Sequence, residues 1–184
     1  MTTRLYLRLA AFGFLLCGCA IVAAENPPAA TSSPPPPPPP RKACATPEFR
    51  QFDFWLGDWA VTDPKGNAVG KNVITLEQGG CVLHEHWTGS KGGTGESFNL
   101  YDGATKRWHQ SWVDSSGTLL LLDGGLVEGR MVLEGKGPGP KGGTVTNRIA
   151  WEKLPDGRVR QTWTVSSDGG ATWTTSFDGY YAKP

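Results

Sequence analysis

Three segments of the chain place chemically able side chains at every second position. From Cys81 to Trp87, Cys81, Leu83, Glu85 and Trp87 alternate with Val82, His84 and His86. From Trp108 to Asp114, Trp108, Gln110, Trp112 and Asp114 alternate with His109, Ser111 and Val113. From Val159 to Val165, Val159, Gln161, Trp163 and Val165 alternate with Arg160, Thr162 and Thr164. Period two is the side-chain period of an extended strand, so each set shares one face. The Trp-bearing faces are the better candidates for an interior. They turn Glu85, Gln110, Asp114 and Gln161 inward beside Trp87, Trp112 and Trp163. A plain core would be aliphatic, whereas aromatic walls with a few fixed donors and acceptors suit a pocket for a small, partly polar ligand. Two other readings compete. The polar groups could satisfy one another as a structural network, since each left alone when buried costs roughly 1–3 kcal/mol. Alternatively, Trp and Gln could line a wet barrel mouth.

Glu85 with Asp114 also has the composition of an acid–base pair for glycoside cleavage, which makes a hydrolase the enzymatic alternative. There is no G-x-S-x-G elbow, H-E-x-x-H helix, phosphate loop or dinucleotide fingerprint. No catalytic residue is assigned. His84 and His86 share a face, and His109 would join them if neighbouring strands pair in register. Three histidines could hold zinc with an open position, and one could ligate haem. That face also carries Val82 and Thr88 and reads as the outer one. The histidines are therefore read as surface residues, with no metal or other cofactor assigned and haem left open.

The elements that must position these residues are short. From Trp59 onward, runs rich in Val, Trp, Thr and Leu are punctuated by turn chemistry, such as Asp63-Pro64-Lys65-Gly66-Asn67, Gln78-Gly79-Gly80, Glu128-Gly129 and Pro155-Asp156-Gly157. About ten strands result, joined mostly by hairpins. A meander of that length avoids exposed edges most simply by closing, so an all-β, antiparallel up-and-down barrel is predicted, with two packed sheets as the alternative. One short N-terminal helix is predicted before Gly57. Thr46 can cap it, Pro47 suits its first position, Glu48 suits its positive end, and Phe49, Phe52 and Leu56 recur at helical spacing.

Residues 1–24 read as a signal peptide, with Arg4 and Arg8 before a short apolar run from Leu9 to Leu16. Cleavage falls either after Val22-Ala23-Ala24 or before Cys19, where Leu16-Cys17-Gly18-Cys19 has the form of a lipobox and Cys19 would carry the lipid. Residues 25–43 are a Pro-rich linker containing the run Pro34 to Pro40, which favours polyproline II and buries no core. Residues 44–184 form the barrel domain. Its two cysteines, Cys44 and Cys81, are expected to form a disulfide in an exported chain, the alternative being two buried thiols. The expected location is the periplasm, free or as an outer-membrane-anchored lipoprotein. The formal net charge of +1 has no basic stripe, so a small molecule is the expected partner and nucleic acid is not. A membrane would be met only through an N-terminal lipid.

Three local features resemble known families. Gly57-Asp58-Trp59 after the short helix resembles the G-x-W signature of lipocalins and other calycins. In those barrels the Trp plugs one end and a basic residue from the final strand covers it. Lys183 is the only basic residue in the last strand region here. The span from Phe52 to Tyr181 resembles a group of uncharacterised secreted bacterial proteins that open with F-D-F-W-x-G-[DE]-W (Phe52 to Trp59). They continue with blocks matched by Gly79 to Trp87, Tyr101 to Gly117 and Asp168 to Tyr181. It is similar also to the bacterial domain-of-unknown-function family 1579. These resemblances imply a lipocalin-like barrel in which Gly57 and Trp59 are structural, and they imply no activity. Ser166 to Trp173 matches the Asp-box S-x-D-x-G-x-x-W, read as a well-made turn because it occurs once.

Overall fold

The computed structural model describes residues 43–139 and 142–184. The predicted export segment, Cys19 and all but the last residue of the proline linker lie outside them. Ten strands follow in chain order: β1 (Gly57–Thr62), β2 (Ala68–Glu77), β3 (Val82–Gly89), β4 (Thr94–Asp102), β5 (Arg107–Asp114), β6 (Leu119–Val127), β7 (Arg130–Pro138), β8 (Thr144–Lys153), β9 (Val159–Ser166) and β10 (Thr174–Ala182). Each pairs antiparallel with the next, and β10 returns to β1, so the sheet is a closed barrel without a free edge. The Asp-box is the β9–β10 turn. Asp168 accepts from the Thr172 backbone N–H at 2.9 Å and its hydroxyl at 2.6 Å, and Arg148 covers the Trp173 ring at 3.9 Å.

The short N-terminal helix is present as two consecutive 3-10 turns, Pro47–Arg50 and Asp53–Trp55. Thr46 does not cap the first through its side chain; its hydroxyl donates to Glu48 Oε2 at 2.6 Å instead. A period of three explains the tighter winding. Phe49, Phe52 and Trp55 are three apart, the spacing that a 3-10 turn aligns along one edge. Phe52 and Trp55 are fully buried, with rings stacked 4.9 Å apart. They close one end of the barrel against Trp108, Trp151 and Tyr181, with ring separations of 5.6, 5.1 and 6.4 Å. The Trp59 indole N–H donates to the Trp55 carbonyl at 2.8 Å.

The seam between β1 and β10 is the shortest ladder, pairing Ala60, Val61 and Thr62 with Ala182, Tyr181 and Tyr180. Lys183 staples it just beyond. Its Nζ lies 3.7 Å from the Trp59 ring centroid and donates to the Leu56 carbonyl at 3.1 Å. Gly57 makes room for this cation: its φ is +126°, and a Cβ there would meet Lys183 Nζ at 1.9 Å. Replacing Lys183 with Met keeps the stem but removes the charge. We expect a loss of about 1 kcal/mol in urea unfolding, the scale of an exposed cation–π contact plus one hydrogen bond. An unchanged midpoint would count against the staple.

Candidate functional site

Along the barrel axis the interior is layered. The plugged end is aromatic and aliphatic, with Trp59, Leu83, Trp108, Met131, Trp151 and Val159 buried beside the 3-10 turns. A polar layer follows, made of Asn72, Glu85, Ser97, Asn99 and Gln110, each at most 4% exposed. Beyond it lie the half-buried rings of Trp87, Trp112, Trp163 and Phe177, which form an open mouth.

A cavity of about 100 Å³ opens between the polar layer and these rings. It is lined by Glu85, Trp87, Gln110, Trp112, Gln161 and Trp163, together with Leu120, Ile149, Phe177 and Tyr181. Six of the seven side chains singled out from strand alternation therefore share one cavity. Asp114, the seventh, does not line it. It stands at the last position of β5, where the chain turns, and accepts hydrogen bonds from Ser116 N at 2.9 Å, Ser116 Oγ at 2.6 Å and Thr118 N at 3.1 Å. Burial pushes its carboxyl up, but these hydrogen bonds outweigh that and hold it below the ordinary range. An Asp closing a turn is held as an anion on the rim, so it does not partner Glu85 as a catalytic acid or base.

Glu85 is the centre of the polar layer. Register sets it opposite Ser97 on β4, whose hydroxyl donates to Oε2 at 2.5 Å. The Asn72 amide approaches Oε1 at 2.7 Å. Ser97 in turn accepts from Asn99 Nδ2 at 2.8 Å and Gln110 Nε2 at 3.3 Å. Burial pushes the Glu85 carboxyl up to about 7, against the opposing hydrogen bonds from Ser97 and Asn72. Turning the Asn72 amide over would bring its otherwise unpartnered Oδ1 to Glu85, an arrangement that needs a carboxylic proton. Burial likewise pushes the Tyr181 hydroxyl well above its usual value, and it donates to Gln161 Oε1.

Two of the mouth rings, Trp87 and Trp112, lie close against the wall. A Cβ at Gly70 would meet the Trp87 ring at 2.5 Å, and one at Gly95 the Trp112 ring at 2.3 Å. Glycine on the neighbouring strand gives each indole a seat and keeps the mouth clear. The indole N–H of Trp163 is spent on Asn147 Oδ1 at 2.9 Å and that of Trp112 points to Asp114 Oδ2 at 3.4 Å. Ring faces are left to line the cavity.

Sequence reasoning passed over Asn72, Ser97, Asn99 and Tyr181. Alternation in β2 and β4 carried a signal, because Asn72 shares a face with Ile74, and Ser97 and Asn99 share one with Tyr101. The histidines face outward, and no histidine among the described residues lines the cavity. His109 is not with the other two: it contacts Asp123 Oδ1 at 2.9 Å and Ser111 Oγ at 2.8 Å.

The chain is thus a closed ten-stranded antiparallel barrel with one plugged end and a small polar-floored cavity below an aromatic mouth. Compared with models of known protein families and with curated proteins, it matches none.

Proposed function

We propose that the barrel binds a small molecule with a hydrogen-bond-donating head and an apolar body. The observation that carries this is Gln110 Oε1, a buried acceptor without a partner, in the lining of a cavity that also holds the Glu85 carboxyl. Floor acceptors want a hydroxyl, amide or ammonium donor, and the rings above offer apolar faces. The volume suits a ligand, or a buried ligand group, of on the order of eight non-hydrogen atoms. A glycosidase-type reading has little support, because Asp114 is committed to its turn.

We place the protein in an exported setting. The Cys44–Cys81 disulfide is of the kind kept in oxidising compartments, and the signal-like N-terminus and proline run agree with it. Among the described residues no helix is long and apolar enough to cross a membrane. Membership of the secreted bacterial group that the Phe52–Tyr181 blocks resemble belongs to the same proposal.

Native mass spectrometry of the full chain, purified from its own host, tests the binding. We expect a small-molecule adduct on the folded protein. Trp163→Ala should weaken rebinding of the extracted molecule about tenfold in calorimetry, the equivalent of one good aromatic contact. Apo mass alone from the native host would overturn the reading.

A further inference from the structure

The outer face of β3 carries a second constellation, remote in character from the cavity. His84 and His86 project from the same side of the strand with ring centroids 3.9 Å apart. Glu77, at the end of β2, brings Oε1 to 3.2 Å from His84 Nδ1. Glu96, on β4, brings Oε2 to 3.0 Å from His84 Nε2 and Oε1 to 3.5 Å from His86 Nδ1. Phe98 stacks on the His84 ring at 4.4 Å and fixes its plane. In sequence, Glu77 and Glu96 lie seven and twelve residues from His84, outside its run of alternation on β3. Register supplies both carboxylates, because β2 and β4 flank β3 on either side.

We propose that Glu77, His84 and His86 bind a divalent first-row metal ion of the Zn²⁺ type, with Glu96 orienting His84. A neutral imidazole donates from one nitrogen only. When the His84 Nε2–H donates to Glu96 Oε2, Nδ1 presents a lone pair to Glu77 Oε1, and two acceptors then face each other. A cation between them resolves that conflict. A carboxylate behind a ligating histidine is the usual way its tautomer and ring orientation are set. The dimensions agree. A tetrahedral Zn²⁺ with ligands at about 2.1 Å separates them by about 3.4 Å, close to the Glu77–His84 spacing. The ligand atoms of Glu77, His84 and His86 all lie within 4.8 Å of one another. Only modest closure is needed, and His86, with 46% of its side chain exposed, is free to supply it. Three protein ligands on an outer face leave a coordination position for water. The competing resolution is a second proton on His84, which makes the cluster a plain ion-pair network.

Calorimetric titration of the chelator-stripped full chain with Zn²⁺, paralleled by Co²⁺ absorption, separates the two. We expect one equivalent bound, with tetrahedral-type Co²⁺ bands. His84→Ala and His86→Ala should each weaken binding at least tenfold, Glu96→Gln about tenfold, and His109→Ala not at all. Far-UV circular dichroism confirms that each variant is folded, and the exposed His86 keeps the test decisive if His84→Ala is not. Absence of stoichiometric uptake overturns the proposal. So does unchanged affinity in His86→Ala, or an equal loss in His109→Ala.

Discussion

Glu85→Gln is expected to flatten the dependence of stability on pH between about 4.5 and 7, leaving the variant about 3 kcal/mol more stable than the parent above that window. The ordinary carboxyl value is 4.5, and burial raises that of Glu85 to about 7 in the folded state. Below 4.5 both folded and unfolded chains hold the proton, and burial costs nothing extra. Between the two values the unfolded chain releases its proton while the folded chain keeps it, so stability falls as pH rises. Above 7 the penalty is complete, on the order of 3 kcal/mol. A Gln amide keeps a neutral group in the same space, accepting from Ser97 and donating to Asn72 Oδ1 once that amide turns. Asp63, Asp102 and Asp156, held low by hydrogen bonds from Asn67, Ala104 and Arg158, act with the opposite sign in more acidic solution. They cancel in the difference between parent and variant. Urea midpoints at pH 4.5, 6 and 8 measure it. Parallel profiles for the two proteins would show that Glu85 is not the titrating group.

Removing the Cys44–Cys81 bridge, by reduction or by a Cys44→Ala, Cys81→Ala pair, is expected to cost about 4 kcal/mol. The bridge spans a sequence separation of 37 residues, and the chain-entropy relation gives about that value for such a loop. The same loop contains both 3-10 turns, β1 and β2, and therefore Phe52 and Trp55, the two rings that close the plugged end. Without the bridge the plug keeps its ring contacts, the Trp59, Trp108 and Lys183 hydrogen bonds to Trp55, Gln51 and Leu56, and Arg50, which donates to the Gly80 carbonyl and pairs with Asp53 at 3.3 Å. Urea unfolding with and without reductant measures the loss. A change below about 1 kcal/mol would mean that packing and these hydrogen bonds organise the plug without the bridge.

The barrel was legible because turn chemistry marks nearly every hairpin and alternation marks each wall. Glu85, Trp87, Gln110, Trp112, Gln161 and Trp163 share an inward face for the reason that predicted it, the two-residue period. Asp114 shows where that period misleads. Parity continues to the end of a segment, but it does not say where a strand stops and its last carboxylate begins to serve the turn. The one short helix is legible in the stripe of Phe49, Phe52 and Leu56, and it winds as two 3-10 turns. Trp55 had to be weighed with Phe49 and Phe52 for a period of three to emerge. Partners across strands stayed hidden for a different reason. Glu77 and Glu96 reach His84, and Ser97 reaches Glu85, through register, which hairpin lengths set only in combination.

The layering of the interior also divides seven of the eight tryptophans optically, the eighth, Trp173, standing on the β9–β10 turn. Trp55, Trp59, Trp108 and Trp151, each at most 3% exposed, lie in the apolar plug and should emit at short wavelength, beyond the reach of a collisional quencher. Trp87, Trp112 and Trp163, half-buried at the mouth, emit from a wetter setting that such a quencher can enter. A molecule filling the cavity would shield the second set and leave the first unchanged, whereas loosening of the plug would do the reverse. The fold thereby carries two intrinsic reporters, one for occupancy and one for integrity, readable in the same emission spectrum.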